Sequence, residues 1–140
     1  MMNISTRGRY ATRILVLMAR EPHRARTKFE IAEAEGITPA YVQQLMMALR
    51  LAGLVMSLRG RDGGFMLGRA PGSITVTDIM RAVEGEILPA PCRLTGHCER
   101  MRTCPTRPLW QEAADLLESL FSGTTISDLA AAPTEPDDAA

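Results

Sequence analysis

The sequence has no long apolar run and no secretory signal, and its number of cysteines is odd. Each of these features argues against one class of protein. Its longest strongly apolar run, residues 14–19, is too short to cross a bilayer. The amino terminus, MMNISTRGRY, lacks the apolar stretch and cleavage site of a secretory signal, so we expect a cytoplasmic chain. The 3 cysteines would leave one thiol unpaired in any disulfide framework, and the reducing cytoplasm disfavours such a framework. A membrane-spanning protein and a disulfide-stapled domain are therefore not expected.

Catalytic motifs are missing as well. The chain has no Cys-x-x-Cys redox pair, no phosphate-binding glycine loop and no nucleophile with a matched base. Its 140 residues suit one compact domain, or a small domain with an added helix, and leave no room for a large catalytic architecture. The sequence predicts that the protein is not an enzyme, and a small thiol oxidoreductase is only a remote alternative.

Charges of both signs are present, but they are unevenly placed. Residues 1–69 hold 11 arginines and lysines against 5 acids, whereas residues 70–140 hold 5 against 11. A basic half joined to an acidic half is typical of a nucleic-acid reader with a separate sensing or assembly part, because basic groups neutralise phosphates. Chance clustering of surface charge is the alternative interpretation.

Three helices are predicted in the basic half. The first spans residues 5–20, and the second, residues 27–36, opens with TKFE, which has the pattern of a capping box. The third has Thr38 as its N-cap and ends at Gly53. The second and third helices, joined by the tight turn EGI, match a helix-turn-helix, although such pairs also occur in ordinary bundles. Beside its apolar stripe the third helix carries the polar residues Gln43, Gln44 and Arg50.

A hairpin is predicted directly after the third helix. LVMSLRGRDGGFMLGR contains a strand, a turn at residues 61–64 and a return strand, because Asp-Gly and Gly-Gly supply the positive φ of a tight hairpin. Arg59 and Arg61 lie at its tip and Arg69 at its far end, where a wing reaches phosphates or a narrow minor groove. The sequence therefore predicts a winged helix-turn-helix DNA-binding domain over residues 1–70.

A linker and a cysteine loop follow the predicted wing. The linker, residues 71–90, contains a short helix capped near Thr77 and stopped at Gly85. The loop, residues 91–107, contains all of the cysteines.

The long helix predicted over residues 108–123 is amphipathic, and its apolar face needs a partner. That partner is either the rest of its own domain or the same helix of a second subunit. The last segment, residues 124–140, becomes small, acidic and proline-broken, and we expect disorder from residue 131. The predicted fold is mainly α with a small β-hairpin: a winged helix-turn-helix domain plus a long C-terminal dimerisation helix.

The chain resembles a family, the IscR and NsrR type of bacterial transcription regulators, also called the Rrf-two family. The resemblance covers nearly the whole chain. Each of its motifs is weak alone, but their order and spacing are specific. They are STRGRYA, ITPAYVQQLMMALRLAGLV, SLRGRDGGFMLG, DIMRAVEG, the three cysteines, and LW at the start of the long helix.

The resemblance implies a homodimeric winged-helix regulator that binds a double-stranded DNA operator, with an iron–sulfur cluster in the cysteine loop. It implies that Tyr41 and Gln44 meet the major groove and Arg59 the minor groove. Gln43 stands where IscR-like members often have a glutamate that tunes the accepted DNA motif. The candidate DNA-binding residues are Lys28, Thr38, Ala40, Tyr41, Gln43, Gln44, Arg50, Arg59 and Arg61, and the candidate dimerisation residues are Leu109, Trp110, Ala113, Leu116, Leu117 and Leu120.

The three cysteines, Cys92, Cys98 and Cys104, stand six residues apart. Structural zinc is poorly indicated, because zinc sites usually show a closely spaced Cys-x-x-Cys pair and four firm ligands. Inert buried thiols are disfavoured because the loop is rich in arginine and offers little apolar cover. These basic surroundings lower thiol pKa values and offset an anionic cluster. We therefore expect an iron–sulfur cluster, with 2Fe-2S favoured over 4Fe-4S.

Three cysteines leave one iron coordination position open. Two-iron members of the family have a histidine three residues after the last cysteine, where this chain has Arg107. Other relatives take an acid from the first helix of the partner subunit, where this chain has Arg9. A permanently charged guanidinium cannot ligate iron. The remaining candidates for the fourth iron ligand are His97, Glu99, Thr103, Thr106 or a small exogenous ligand. Of these, we take His97 as the candidate fourth ligand.

These expectations combine into a DNA-binding transcriptional regulator, a repressor, whose operator affinity follows the state of its cluster. The signal would be iron or cluster status, oxygen or nitric oxide, and two half-sites about one helical turn apart would be read symmetrically. The alternative is a cluster-free regulator of the same fold, whose thiols sense oxidants directly.

Overall fold

The computed structural model describes residues 3–60, 63–87, 89–90 and 98–134. Within these residues it has six α-helices, one antiparallel hairpin and a single 3-10 turn at Pro71–Ser73. This is the predicted mainly helical fold with a small hairpin. In chain order the helices and strands are α1 Thr6–Ala19, α2 Lys28–Glu35, α3 Pro39–Leu51, β1 Val55–Leu58, β2 Gly64–Leu67, α4 Val76–Val83, α5 Arg107–Ser122 and α6 Ile126–Ala131.

The first three helices begin at the caps that their sequences indicate. The side chains of Ser5, Thr27 and Thr38 each accept a hydrogen bond from the backbone N–H three residues later. Gly36 ends α2 with φ of 66°, a left-handed conformation that suits glycine. The predicted capping box at α2 is only half formed, because the Glu30 carboxylate accepts from the Thr27 hydroxyl and from Arg24.

The hydrophobic core lies where α1, α3 and α4 meet. Ile14 of α1, Leu45 and Leu49 of α3, and Ile79 of α4 are fully buried there. These side chains recur at helical spacing, so each helix buries one face. Arg13 of α1 also forms a 2.8 Å ion pair with Glu35 of α2, at the edge of this core.

The hairpin packs on the helices through its backbone. Val55 pairs with Leu67 and Leu58 with Gly64, and Arg26 exchanges two backbone hydrogen bonds with Phe65, of 3.0 and 2.8 Å. The prediction that Gly64 belongs to the turn is wrong, because Gly64 is the first residue of β2. The Gly63 N–H donates to the Gly60 carbonyl, and residues 61 and 62 lie outside the described residues. Gly64 can lie against the Arg26 backbone because it has no Cβ, which would collide with that backbone.

The start of α4 also differs from the prediction. Thr75, not Thr77, caps the helix, and Asp78 completes a capping box with it. Thr77 lies inside the first turn of α4 and is buried. The helix begins two residues earlier than expected, with Val76, Ile79 and Met80 buried on its inner face. The buried positions Ile79, Met80 and Val83 are those that the sequence predicts.

The helix α5 begins at Arg107, one residue before the predicted start, and reaches Ser122. The helix α6 is not predicted by the sequence analysis. Ile126 is fully buried, and its N–H donates to the Ile74 carbonyl at 3.0 Å, so this short helix closes the side of the core formed by α1. Among the residues that the structure describes, no helix is both long and apolar enough to cross a membrane.

Candidate nucleic-acid interface and metal centre

The helix α3 buries one side and presents the other to solvent. Val42, Leu45, Met46 and Leu49 are fully buried against α1 and α4. The opposite side is open along the whole helix, so it is available to a large ligand. Its exposed residues are Ala40, Gln44, Met47, Arg50 and Leu51.

Two of the predicted DNA-binding residues on this helix also have structural roles. Thr38 is exposed, and its hydroxyl accepts from the Tyr41 N–H at 3.2 Å. The Tyr41 ring is half-buried and stands edge-on to Tyr10, with ring centroids 6.2 Å apart. Gln43 is also half-buried. Substitution of Thr38 or Tyr41 would therefore change the fold as well as any DNA contact.

The predicted basic contacts flank α3. Lys28 is the first residue of α2, and its Nζ lies 5.3 Å from the centroid of the Phe29 ring. Arg59 directly follows β1 and is exposed at the wing tip. Arg61 lies outside the described residues. Arg69 donates to Asp78 at 2.9 Å and to the Ser73 carbonyl at 3.0 Å, so it ties the wing to α4 and is not a free phosphate contact.

The structure describes the second half of the cysteine loop, residues 98–106, as consecutive turns. Cys98 is exposed and Cys104 is half-buried, and both are free thiols. Cys92 and His97 lie outside the described residues, so the predicted set of ligands is only partly placed. Within the described residues, no three His, Cys, Asp or Glu side chains gather closely enough to hold a metal ion.

Cys104 lies at the amino terminus of α5. Its Sγ shares a 3.2 Å hydrogen bond with the Thr106 hydroxyl. This bond, the backbone N–H groups of Thr106 and Arg107, and the nearby charge of Arg100 hold the pKa of the Cys104 thiol below its usual range. The unpaired N–H groups and dipole of a helix amino terminus favour an anion in this position. The geometry therefore favours a thiolate at Cys104.

Arg107, which stands where two-iron members of the family have a histidine, helps to shape the loop. Its Nη1 donates to the Met101 carbonyl at 2.9 Å, so the side chain reaches back over the turn that contains Cys104. The guanidinium cannot ligate iron, and Arg107 acts on the thiol through its backbone N–H. The Thr106 hydroxyl is hydrogen-bonded to the Cys104 Sγ, and the Thr106 side chain does not cap α5.

A contact distant in sequence joins the end of α4 to the start of α1. The Glu84 carboxylate accepts from the Gly8 N–H at 3.2 Å, next to the capping hydroxyl of Ser5. Gly8 is buried against Met80, whose thioether occupies the space that a Cβ would need. The motifs STRGRYA and DIMRAVEG therefore meet in space, and α4 links the helices of the basic half to the chain that leads into the cysteine loop.

The helix α5 has two apolar faces. One, formed by Ala114, Leu117 and Phe121, turns toward α4 and lines a cavity of about 420 Å³. The other is open to solvent: Leu109 is 58%, Leu116 65% and Leu120 62% exposed. Of the other candidate dimerisation residues, Trp110 is exposed and Ala113 and Leu117 are half-buried.

Three features of these sites escaped the sequence analysis. They are the exposure of Met47 beside Gln44, the contact between Thr106 and Cys104, and the contact between Glu84 and Gly8. The spacing of Ala40, Gln44 and Met47 was the signal available for the first. No periodic pattern in the sequence indicates the other two contacts.

Comparison with known proteins supports a single family. The matching family model is described as Rrf2, an iron-dependent transcriptional regulator, and it covers residues 4–132. The chain is 33% identical over 129 residues to the HTH-type transcriptional regulator IscR of Enterobacter sp. (strain 638), a match that covers 91% of this chain and 79% of that protein.

Solved structures give the same result. The structure of CymR (YrzC), the global cysteine regulator of B. subtilis, matches with a TM-score of 0.80 and 35% identity, over 96% of this chain and 100% of that one. IscR of T. potens matches with a TM-score of 0.75 and 28% identity, over 96% and 94% of the two chains.

The matches confirm both the winged-helix fold and the resemblance noted from the sequence. The relatives are named as transcriptional regulators, so the prediction that the protein is not an enzyme is also confirmed. The chain therefore belongs to the Rrf2 family of DNA-binding transcriptional regulators.

Proposed function

We propose that this protein is a cytoplasmic, homodimeric repressor whose affinity for its operator is set by an iron–sulfur cluster held in the cysteine loop. The observation that carries the proposal is the environment of Cys104, where hydroxyl and backbone donors and the amino terminus of α5 favour the thiolate. A thiolate is the form of cysteine that binds iron. The description of the matching family as iron-dependent also supports it.

In this proposal the basic half, residues 1–70, reads DNA. The exposed face of α3 enters the major groove, with Ala40 and Gln44 toward base edges and Arg50 toward phosphates. Lys28 and the wing residues Arg59 and Arg61 contact the backbone or the minor groove. Thr38 caps the amino terminus of α3, and the half-buried Tyr41 and Gln43 follow within the first two turns of that helix. Exposed cations beside an exposed helix face suit a polyanion.

The described part of the loop fits a cluster through the chemistry of its donors. Cys104 has N–H groups directed at its sulfur, and such hydrogen bonds to cluster sulfurs tune the reduction potential. The charge of Arg100 offsets the negative charge of the Cys104 thiolate. Cys92 and Cys98 would complete the cysteine ligands, with His97 as the proposed fourth. When bound, the cluster supplies an iron site that responds to iron supply, oxygen or nitric oxide, with 2Fe-2S favoured over 4Fe-4S.

The packing of α4 and α5 provides a route from the loop to the DNA-binding helices. The loop begins after α4 and ends at α5. Glu84 at the end of α4 holds the amino terminus of α1, and Arg81 of α4 pairs with Glu118 of α5 at 3.0 Å. In this proposal a shift of the loop reaches α1 through α4, which contacts both α1 and α5. Coupling of about 1–3 kcal/mol between cluster state and DNA binding is typical of such switches.

The open face of α5 is the proposed dimer interface. The helix α5 packs one apolar face on its own domain and leaves the second apolar face exposed to water. Such an exposed face needs a partner, and the same helix of a second subunit, related by a two-fold axis, provides that partner. The interface would contain Leu109, Trp110, Ala113, Leu116, Leu117 and Leu120, with Leu117 shared between the partner and α4.

Analysis of protein purified under nitrogen tests the cluster. We expect iron, acid-labile sulfide and visible absorption in the wild type, and loss of all three in Cys98→Ala, with a change in operator affinity. Arg102→Lys, in the same exposed loop, is the matched control and should keep them. A colourless, iron-free wild type would overturn the cluster proposal while leaving the DNA-binding assignment intact.

The second candidate function is direct thiol sensing, in which oxidation of Cys104 or Cys98 changes DNA affinity without iron. The lowered pKa of Cys104 and the exposure of Cys98 favour it, because reactive thiols are accessible thiolates. The similar CymR of B. subtilis is a global cysteine regulator. Iron-free protein whose operator affinity changes with peroxide and recovers with a dithiol reductant would support this candidate.

A further inference from the structure

We infer that Met47 is a DNA-specificity residue, which recognises a thymine in the major groove through apolar contact with its 5-methyl group. The inference rests on the proposed function, because it requires that α3 enters the groove. It is carried by the position of Met47 on the exposed face of α3, beside Gln44.

Met47 faces away from the core that holds its neighbours. Its side chain is 56% exposed, whereas Met46 and Leu45 are fully buried. Ala40, Gln44 and Met47 recur at spacings of four and three residues, so they line one strip of the helix. An exposed thioether on the strip that holds the predicted base contacts is in place to meet base edges as well.

The spacing along the helix suits successive base pairs. Met47 lies three residues beyond Gln44, about 4.5 Å further along the axis, and base pairs repeat about every 3.4 Å. A glutamine amide suits the edge of adenine, whereas a thioether makes only weak hydrogen bonds and mainly gains dispersion and hydrophobic contact. Among the base edges of the major groove, the apolar group is the methyl of thymine. Met47 therefore selects thymine.

The same face favours DNA over a protein partner. Arg50 is exposed on it, and the chain has an excess of positive charge up to residue 69. Leu51 is 89% exposed at the carboxyl end of α3, beyond Met47. Leu51 is the last residue of α3 and lies about 6 Å further along the helix axis than Met47, so it is an exposed apolar residue beyond the proposed thymine contact and serves as the matched control.

The test removes the proposed contact from each molecule in turn: the 5-methyl group of thymine from the DNA, and the Met47 side chain from the protein. Wild-type protein, purified under nitrogen, first selects its operator from a random pool of DNA duplexes. Each thymine of the selected site is then replaced, in both half-sites, by deoxyuridine, which lacks only the methyl group. Dissociation constants are measured for the wild type, Met47→Ala, Met47→Leu and Leu51→Ala. Melting temperatures confirm that the variants are folded.

We expect one thymine position at which deoxyuridine weakens wild-type binding by about fourfold per half-site, the factor that corresponds to about 0.8 kcal/mol for one buried methyl-sized group. Met47→Ala should be insensitive to that replacement, whereas Met47→Leu and Leu51→Ala should respond as the wild type does. Equal sensitivity of the wild type and Met47→Ala at every position, or a selected site without thymine, would overturn the inference alone. Failure to enrich any sequence would overturn the proposed DNA-reading function itself.

Discussion

At the scale of single residues, Cys104 shows how a local fold changes the chemistry of a thiol. An isolated cysteine titrates near pH 8.5. Here the Thr106 hydroxyl and the N–H groups that begin α5 all stabilise the anion. The sequence indicated basic surroundings for the loop, but the larger contributions come from hydrogen bonds two and three residues away. These contacts depend on the turn at residues 104–106 and the helix that follows it.

The lowered pKa predicts the reactivity of Cys104 in reduced, iron-free protein. Because the folded structure stabilises the thiolate and lowers the pKa of Cys104, alkylation of Cys104 by iodoacetamide should reach half its maximal rate at a lower pH in the folded protein than in a short unstructured peptide of the same sequence. Thr106→Val removes the largest contribution and should move this midpoint to higher pH, although the backbone donors remain. Mass spectrometry of the peptide that contains Cys104 measures the rate.

Thr103→Val is the matched control for this experiment, since Thr103 is exposed in the same loop. Its midpoint should equal that of the wild type. Identical midpoints for Thr106→Val and the wild type would show that the contact with the Thr106 hydroxyl does not set the pKa of Cys104.

At the scale of secondary-structure elements, the hairpin shows what a glycine-rich turn does and does not predict. The Gly63–Gly64 pair correctly indicated a hairpin, but Gly64 lies in β2, where its lack of a Cβ allows the close approach of the Arg26 backbone. That approach joins the segment before α2 to the wing, over nearly 40 residues of chain. It also sets the orientation of the wing relative to α3.

Gly64→Ala is expected to destabilise the protein by about 2 kcal/mol or more. Its φ of 152° is rare for residues with a side chain, and the new Cβ would collide with backbone atoms of Arg26, which cannot rotate away. Chemical denaturation gives the free energy of unfolding. Where the variant remains folded, we expect weaker operator binding because the wing is displaced.

Gly72→Ala is the matched control for the hairpin. A Cβ at Gly72 meets no atom within 4 Å, so its free energy of unfolding should stay within about 0.5 kcal/mol of the wild type. Equal stability of Gly64→Ala and Gly72→Ala would contradict the close packing of the hairpin on Arg26.

At the scale of the whole molecule, the two apolar faces of α5 distinguish intramolecular packing from assembly. At about 100° per residue, Leu109, Leu116 and Leu120 fall within one narrow sector of the helix, and Leu117 and Phe121 fall roughly a quarter turn away. The second sector packs toward α4, and the first is open. The sequence placed Leu117 with the open set, because spacing alone does not show which sector meets α4.

Leu116→Glu is expected to convert the proposed dimer into a monomer, because it places a charge at the centre of the open apolar sector. Sedimentation equilibrium measures the mass in solution. Operator affinity should fall as well, because two separate monomers must then occupy the two half-sites.

Ser122→Glu places the same charge on the exposed polar side of α5 and is the control. It should remain a dimer. A wild-type protein that sediments as a monomer at micromolar concentration would contradict the proposed assembly, and a dimeric Leu116→Glu would place the interface elsewhere.

The sequence by itself determined the helices, most of their caps and the existence of the wing, because these depend on residues within about four positions of one another. It also determined the family, through the order of its motifs. The tertiary structure alone decided the bonds between Glu84 and Gly8 and between Arg69 and Asp78, and the burial of Ile126 in α6. These contacts join segments distant along the chain, or a side chain to a neighbouring element. No periodic pattern encodes them, since they form only when separate elements pack together.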